Sequence, residues 1–231
     1  MMTFDQLVDR ARSLITDGTR ALLGITGPPG AGKTTLAEHL IQTLAPAPPP
    51  TLIPDQWIAH VPMDGFHLAD KELARLDRRD RKGAPDTFDP AGYAALLRRL
   101  HEDIDDVVYA PGFERTLEQP IAGAIPVPLS ARLIITEGNY LLFHDHGWDL
   151  VRPQLTEVWY VDLETDERVR RLIARHVRFG KQPTAAAAWA TGTDERNAVL
   201  INSTRSHADL IVPASLMRSL GAPRGSQRVE S

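Results

Sequence analysis

The loop from Gly27 to Thr34 constrains the fold of this chain more than any other segment. It reads Gly-Pro-Pro-Gly-Ala-Gly-Lys-Thr, a complete G-x-x-x-x-G-K-[ST] phosphate-binding loop. The apolar run 21–26 before it predicts a strand, and leucines at every fourth position of the run 35–44 predict a helix after it. This strand–loop–helix order is the context that the motif requires. The segment therefore predicts nucleotide binding rather than a glycine-rich turn before an ordinary helix.

The chemistry expected of this loop follows from its residue types. Its glycines let backbone N–H groups turn toward a polyphosphate, and the following helix adds the partial positive charge of its N-terminus. Lys33 is expected to reach the β- and γ-phosphates, and the Thr34 hydroxyl to ligate Mg²⁺. ATP and Mg²⁺ are the predicted cofactors, although other triphosphates stay open. The predicted nucleotide-binding residues are Gly27, Pro28, Pro29, Gly30, Ala31, Gly32, Lys33, Thr34 and Thr35.

Composition narrows the class of protein. The chain has 231 residues, of which 42% are hydrophobic, and this fits one domain, or one domain with a lid. The absence of cysteine excludes disulfides, thiolate metal sites and cysteine nucleophiles. A net charge of -4 gives no basic footprint for nucleic acid. No apolar stretch approaches a membrane span or a signal-peptide core, so we expect a cytoplasmic protein with no membrane partner. The oligomeric state stays open, a homo-oligomer included.

Short apolar runs alternate with helical patterns along the chain. Strands are predicted at 21–26, 58–63, 133–136, 158–161 and 210–212, and helices at 90–100, 165–179 and 185–190. The alternation predicts an α/β P-loop NTPase fold, in which a mainly parallel five-stranded sheet has helices on both faces. We expect one P-loop domain over 1–217, with an arginine-rich helical lid over about 165–192. The Gly/Pro/Ser/Arg-rich tail 218–231 is expected to be disordered.

Carboxylates follow three of the predicted strands. Asp64, Glu137 and Asp162 stand directly after strand runs, and all strand C-termini of a parallel sheet open on the edge that carries the phosphate loop. Asp64 begins a glycine-containing loop and is our predicted general base. Glu137 is predicted to hold Mg²⁺ through a water. For Asp162 we favour the alternative role of a helix cap.

Four arginines recur on one face of the predicted helix 165–179. Arg168, Arg171, Arg175 and Arg178 follow one another at spacings of three, four and three. The functional interpretation is a lid that closes over ATP and places one or two of these arginines on the transferring phosphoryl group. The alternative is a solvent-exposed helix face on which nearby acidic residues offset the repulsion between the arginines. Arg170 and Lys181 are less specific.

These motifs together resemble a known family, the phosphoribulokinase/uridine kinase/pantothenate kinase group of P-loop small-molecule kinases. The resemblance runs from about Gly24 to Asp209. It rests on the phosphate loop, on the arginine helix and on four further segments, which are 63–67 (MDGFH), 84–89 (APDTFD), 135–140 (ITEGNY) and 160–162 (YVD). Within the group, the overall pattern is most similar to bacterial nucleoside/nucleotide kinase-like proteins, which include provisionally named fructose-transport-system kinases.

The resemblance implies roles for individual residues. The residue that matches Asp64 acts as base, the one that matches Asp86 contacts substrate hydroxyls, and Glu137 matches the acid near Mg²⁺. Arg171 and Arg175 match lid arginines of the family, so they join Lys33 and Asp64 as the predicted catalytic residues. From the residues alone, Asp86 reads as a cap or Asx-turn residue, and His67 as a hydrogen-bonded loop residue. The predicted substrate-binding set is Asp64, Phe66, His67, Asp86, Tyr109, Phe113, Arg115, Glu137 and Asn139.

The substrate is less well defined than the reaction. Met-Asp-Gly-Phe at 63–66 is similar to pantothenate kinases, but the Asp and His that uridine kinases use to read the pyrimidine are missing near 109–115. In their place, Tyr109 and Phe113 can stack on a ring, or simply pack on the core, and Arg115 can meet an anion. The leading hypothesis is an ATP-dependent kinase acting on a hydroxyl of a nucleoside, a sugar or a pantothenate-like metabolite. A P-loop ATPase or a regulatory nucleotide-binding protein is the alternative.

Overall fold

A parallel five-stranded sheet organises the fold. The computed structural model describes residues 2–15 and 18–221. The sheet has the strand order β2-β5-β1-β6-β7, and every adjacent pair in it is parallel. Its strands are β1 (Ala21–Thr26), β2 (Ile58–His60), β5 (Leu133–Glu137), β6 (Glu157–Val161) and β7 (Leu210–Val212). The predicted α/β class and five-stranded parallel sheet are confirmed.

Helices cover both faces of the sheet. Neighbouring residues of β1 alternate between two apolar clusters, because successive side chains of a strand point to opposite faces. Leu22 packs in the cluster that contains α4, and Leu23 in the cluster that contains α1, α2 and α8. The helices are α1 (Phe4–Ser13), α2 (Lys33–Leu44), α3 (Asp70–Arg75), α4 (Pro90–Glu102), α5 (Thr165–Arg178), α6 (Pro183–Thr191), α7 (Thr193–Asn202) and α8 (Ala214–Gly221).

The second strand is shorter than the run 58–63 predicted. β2 ends at His60, and Met63–Phe66 forms a 3₁₀ turn that carries Asp64. Pro62 has no N–H to donate to a strand ladder, so the backbone leaves the sheet at this point. The deviation places Asp64 in a turn above the sheet edge.

A β-hairpin, which the sequence analysis did not predict, packs against that turn. It consists of β3 (Val107–Glu114) and β4 (Gln119–Pro128), which pair antiparallel outside the main sheet. A Cβ at Gly65 would lie 2.2 Å from the Pro111 carbonyl oxygen, so only glycine permits this approach. The close packing fixes the turn of Asp64 to the hairpin that carries Arg115.

The C-terminal segment differs in part from the expected disorder. Helix α8 continues to Gly221, so the prediction of a disordered tail is wrong for 218–221. The rest of that prediction, 222–231, lies outside the described residues. Within 2–15 and 18–221, no helix is long and apolar enough to cross a membrane.

Candidate active site

The phosphate-binding loop joins β1 to α2 at the carboxyl edge of the sheet. Gly30 has a φ of 83°, a left-handed conformation that favours glycine. A Cβ at this position would also lie 2.9 Å from the Arg168 carbonyl oxygen of α5. The loop is therefore packed against the arginine helix, and a side chain at Gly30 would separate them.

Lys33 is buried at the start of α2. The residue is only 8% exposed. Its Nζ donates hydrogen bonds to the carbonyl oxygens of Gly27 at 2.9 Å and Pro28 at 3.2 Å. Burial lowers the pKa of Lys33 to about 8, although the nearby Glu137 carboxylate opposes that shift. The ammonium is thus held inside the loop that is expected to receive the phosphates.

Glu137 and Thr34 provide oxygen ligands beside Lys33. The register of β1 with β5 pairs Ile25 with Glu137, and Thr34 Oγ1 donates to Glu137 Oε1 at 2.9 Å. Burial is the main cause that raises the pKa of Glu137, and the Asp64 carboxylate raises it further. A hydroxyl and a carboxylate oxygen suit Mg²⁺, which proteins commonly bind through one or two such groups together with substrate phosphates. In the described part of the chain, no cluster of three or more His, Asp or Glu forms a cation cage of its own.

Asp64 lies in the 3₁₀ turn after β2, with 28% of its side chain exposed. Burial alone would raise its pKa, but the charges of His67, Arg115, Arg175 and Lys33 together hold the pKa below its usual range. The nearest of these cations is Arg115, whose Nη2 donates to Asp64 Oδ2 at 2.7 Å. Asp64 is therefore ionised at neutral pH, as a proton acceptor must be.

His67 supports this turn. Its Nδ1 lies 2.8 Å from the Asp64 carbonyl oxygen, which can only accept, so Nδ1 carries the hydrogen. Its ring packs on Phe88 and Phe113, with centroid distances of 4.0 and 4.8 Å. Burial lowers the pKa of His67, and the Asp64 carboxylate opposes that shift. These contacts match a hydrogen-bonded loop residue that also forms part of a cavity wall.

Two adjacent cavities meet at the sheet edge. The first, which we call the donor cavity, has a volume of about 580 Å³ and includes Gly30, Gly32, Lys33, Thr34, Thr35, Arg171 and Arg178 in its lining. The second, the acceptor cavity, has a volume of about 440 Å³ and includes Asp64, His67, Phe113, Asn139, Asp194 and Asn197. Both are lined by Arg115, Arg175 and Phe179. A group bound in one cavity is therefore next to a group bound in the other.

The four arginines of α5 do not act as one face. Arg168 is 1% exposed, and its guanidinium contacts the Pro29 carbonyl oxygen and the Glu195 carboxylate of α7. Arg171, Arg175 and Arg178 line the donor cavity. Arg171 is also held by Glu167 at 2.7 Å. Of the four arginines, Arg168 therefore makes a structural contact with the phosphate loop, and the other three line the donor cavity.

Four other candidates lie away from the two cavities. The Asp86 carboxylate is bound by Arg81 at 2.6 Å and lies 3.5 Å from Arg78. Phe66 packs on Tyr93 with a centroid distance of 4.9 Å, and Tyr109 is 61% exposed on the outside of β3. None of these three residues lines either cavity, and neither does Glu137, so their contacts with a substrate stay predictions.

Asp162, the fourth, pairs with Arg205 at 2.7 Å. We expect Asp162→Asn to leave kcat and KM unchanged, because its carboxylate is engaged outside the cavities. The partly exposed ion pair should contribute at most about 1 kcal/mol to the free energy of unfolding. Steady-state kinetics and urea denaturation check both expectations. A fall in kcat of the size expected for a catalytic acid or base would place Asp162 in the reaction instead.

One wall of the acceptor cavity, which α7 provides, is not evident from the sequence pattern. Asp194 and Asn197 are both under 9% exposed and line the cavity, and His176 Nε2 lies 2.7 Å from Asp194 Oδ2. The sequence pattern that could have indicated this wall is the spacing of Asp194 and Asn197, two polar residues three positions apart. They lie in a helix whose Ala198 and Ile201 are buried in the core. Only the packing of α7 against α5 and α6 directs them to the site.

Comparisons with known proteins give kinase-named relatives for this chain. No model of a protein family matches the chain. A Schizosaccharomyces pombe protein, provisionally named a uridine kinase, is 29% identical over 94% of this chain and 91% of its own length. The ATP-dependent kinase-like protein notR' of Aspergillus versicolor is 32% identical over 66% of this chain and 94% of its own. A crystal structure of a Silicibacter sp. TM1040 protein, provisionally named a fructose transport system kinase, superposes on this chain with a TM-score of 0.80. The two sequences are 35% identical, and the match covers 92% of this chain and 100% of the Silicibacter chain.

The fold, the phosphate loop and the carboxylates at the sheet edge define a P-loop kinase. With these relatives, the chain belongs to the uridine kinase-like family of P-loop kinases.

Proposed function

We propose that the protein is an ATP-dependent kinase that transfers the γ-phosphoryl group to a hydroxyl of a small metabolite, such as a nucleoside, a sugar or a pantothenate-like compound. One observation carries the proposal. The donor cavity, with Lys33 and Thr34, adjoins the acceptor cavity, with Asp64, across the shared Arg115 and Arg175. Relatives named as ATP-dependent and uridine kinases support the same reaction class.

The reaction that fits this geometry is an in-line displacement. The acceptor hydroxyl gives its proton to the Asp64 carboxylate while its oxygen bonds to the γ-phosphorus. The bond from that phosphorus to the β–γ bridging oxygen breaks, and ADP leaves. Lys33 and Arg175 stabilise the charge on the transferring group, and Arg171 is placed to contribute. Mg²⁺, held by Thr34 and through water by Glu137, would supply further neutralisation of the phosphate oxygens.

Steady-state ADP release tests the proposal. Purified protein with Mg-ATP would be assayed against nucleosides, pantothenate, ketohexoses, pentoses and glycerate, with the phosphoester confirmed by mass spectrometry. Release that depends on one acceptor establishes the kinase and names its substrate. Steady release without any acceptor overturns the proposal in favour of a P-loop ATPase. Binding of ATP with no release under any condition overturns it in favour of a regulatory nucleotide-binding protein.

Arg115→Met should change the pH dependence of the reaction. Arg115 is one of the cations that hold the pKa of Asp64 below its usual range, and methionine keeps only its apolar stem. Without this cation the pKa of Asp64 rises, so the base is protonated at a higher pH. The acidic limb of the kcat/KM profile should therefore move to higher pH.

The matched control is Arg99→Met, which removes an exposed arginine paired with Asp105 on the far end of α4. Its pH profile should coincide with that of the unmodified protein. An unmoved acidic limb in Arg115→Met would show that Asp64 does not set it.

A further inference from the structure

The acceptor cavity carries more positive than negative side chains. Five cations line it, against four carboxylates. Two of the carboxylates have partners of their own, because Asp64 pairs with Arg115 and Asp194 with His176. Arg175 lines the donor cavity as well. Among the residues that line only the acceptor cavity is a group that we call the anion end, formed by Arg79, Lys82, Lys181, Asp70, Glu118 and Trp189.

One carboxylate serves two cations at the anion end. Asp70 Oδ1 lies 2.7 Å from Lys82 Nζ, and Asp70 Oδ2 lies 3.3 Å from Arg79 Nη2. Lys82 also donates to the main-chain carbonyl oxygen of Glu118, at 2.5 Å. Asp70 and Glu118 carry two negative charges against the three positive charges of Arg79, Lys82 and Lys181, so one positive charge of the anion end remains uncompensated.

Lys181 carries the third of these positive charges. Its Nζ lies 4.7 Å from the centroid of the Trp189 ring. Within the described residues, no carboxylate lies within ion-pair distance of it. A cation–π contact orients an ammonium group without removing its charge. The anion end therefore presents fixed positive charge toward the cavity, and this arrangement attracts an anionic ligand.

Phe113 connects the anion end with the catalytic carboxylate. Its ring centroid lies 5.6 Å from Lys82 Nζ and 5.1 Å from Arg115 Cζ, and Arg115 is bound to Asp64. One small molecule lying along the Phe113 ring can therefore reach both Asp64 and Lys82. The two ends of the acceptor cavity therefore differ in chemistry, because one end has a proton acceptor and the other has cations.

We propose that the acceptor substrate is an anionic hydroxy compound, bearing a carboxylate or a phosphate ester, whose charged group binds at the anion end while its hydroxyl meets Asp64. The proposal rests on the proposed kinase function, because it names the substrate class of the same site. Charge-assisted hydrogen bonds from Lys82, Arg79 and Lys181 supply the recognition.

Fluorescence of Trp189 tests the anion end without any turnover. Trp57, Trp148 and Trp159 are fully buried, whereas Trp189 lies in the cavity wall, so a ligand at Lys181 should change mainly the Trp189 signal. With the donor cavity filled by Mg²⁺ and a non-hydrolysable ATP analogue, inorganic phosphate or malonate should produce a saturable change. Lys82→Met and Lys181→Met should each weaken this binding about tenfold.

Two variants control the titration. Lys71→Met removes an exposed lysine of α3 outside the cavity lining and should leave the dissociation constant unchanged. Trp189→Phe should abolish the signal. The proposal fails if no saturable change occurs, or if both lysine variants bind the anion as the unmodified protein does.

Kinetics with matched acceptor pairs separates this proposal from the proposed function. Ribose would be compared with ribose 5-phosphate for a phosphate ester, and glycerol with glycerate for a carboxylate. We expect the charged member of one pair to have the lower KM. Lys82→Met should raise that KM about tenfold with little change in kcat. Preference for the neutral members overturns the anionic substrate but leaves the kinase standing. Normal anion titration with no acceptor-dependent ADP release overturns the kinase instead.

Discussion

Lys33→Ala is expected to reduce kcat/KM for ATP by about 10³-fold, which is the upper range for loss of one preorganised electrostatic group. The Lys33 ammonium is buried in the phosphate loop, where the Gly27 and Pro28 carbonyl oxygens hold it before any nucleotide binds. Alanine removes the one loop side chain that carries a positive charge to the phosphates. ADP release at saturating acceptor, with nucleotide affinity measured by calorimetry, checks this expectation.

Lys71→Ala is the matched control for Lys33→Ala, because it deletes an exposed lysine outside both cavities. Thermal unfolding of both variants would show that each is folded. Turnover retained by Lys33→Ala would contradict the assignment of the 27–34 loop as the phosphate site.

Asp64→Asn should lower kcat by about 10²- to 10⁴-fold while ATP binding stays nearly unchanged, since a general base contributes in that range. The amide keeps an oxygen that can accept the hydrogen bond from Arg115, so the turn and the hairpin contact should survive. What is lost is the ability to take the hydroxyl proton. Single-turnover kinetics with Mg-ATP and the acceptor separates this chemical step from binding.

Asp162→Asn is the matched control for Asp64→Asn, because Asp162 follows another strand at the same edge of the sheet. Its kcat should equal that of the unmodified protein. Equal kcat values for the two variants would show that Asp64 is structural, and the base would then have to be another cavity residue.

Much of the nucleotide side of the site was predictable because its parts are continuous in sequence. The phosphate loop needs only its neighbouring strand and helix to define its geometry. Glu137 could be placed beside it because a parallel sheet brings strand ends to one edge, and the pairing of Ile25 with Glu137 confirms that β5 neighbours β1.

The acceptor side could not be predicted in the same way, because it is assembled from contacts between distant elements. The hairpin supplies Arg115 and Phe113 to a turn about fifty residues earlier, through the close approach of Gly65 and Pro111. Local sequence also could not show that Asp86 is bound by Arg81, or that Arg168 turns inward to Glu195. Those outcomes depend on which charged partner the tertiary packing brings nearest.

The contact of α5 with the phosphate loop has a thermodynamic consequence for nucleotide binding. Leu172 and the Arg168 backbone lie directly against Gly30, and the Arg168 guanidinium contacts the Pro29 carbonyl oxygen. The N-terminal half of α5 is therefore ordered as part of the folded domain. Placing the backbone of Arg171 near the phosphates costs conformational entropy, and this cost is incurred when the chain folds. Because it is not incurred when the nucleotide binds, it does not reduce the affinity for the nucleotide.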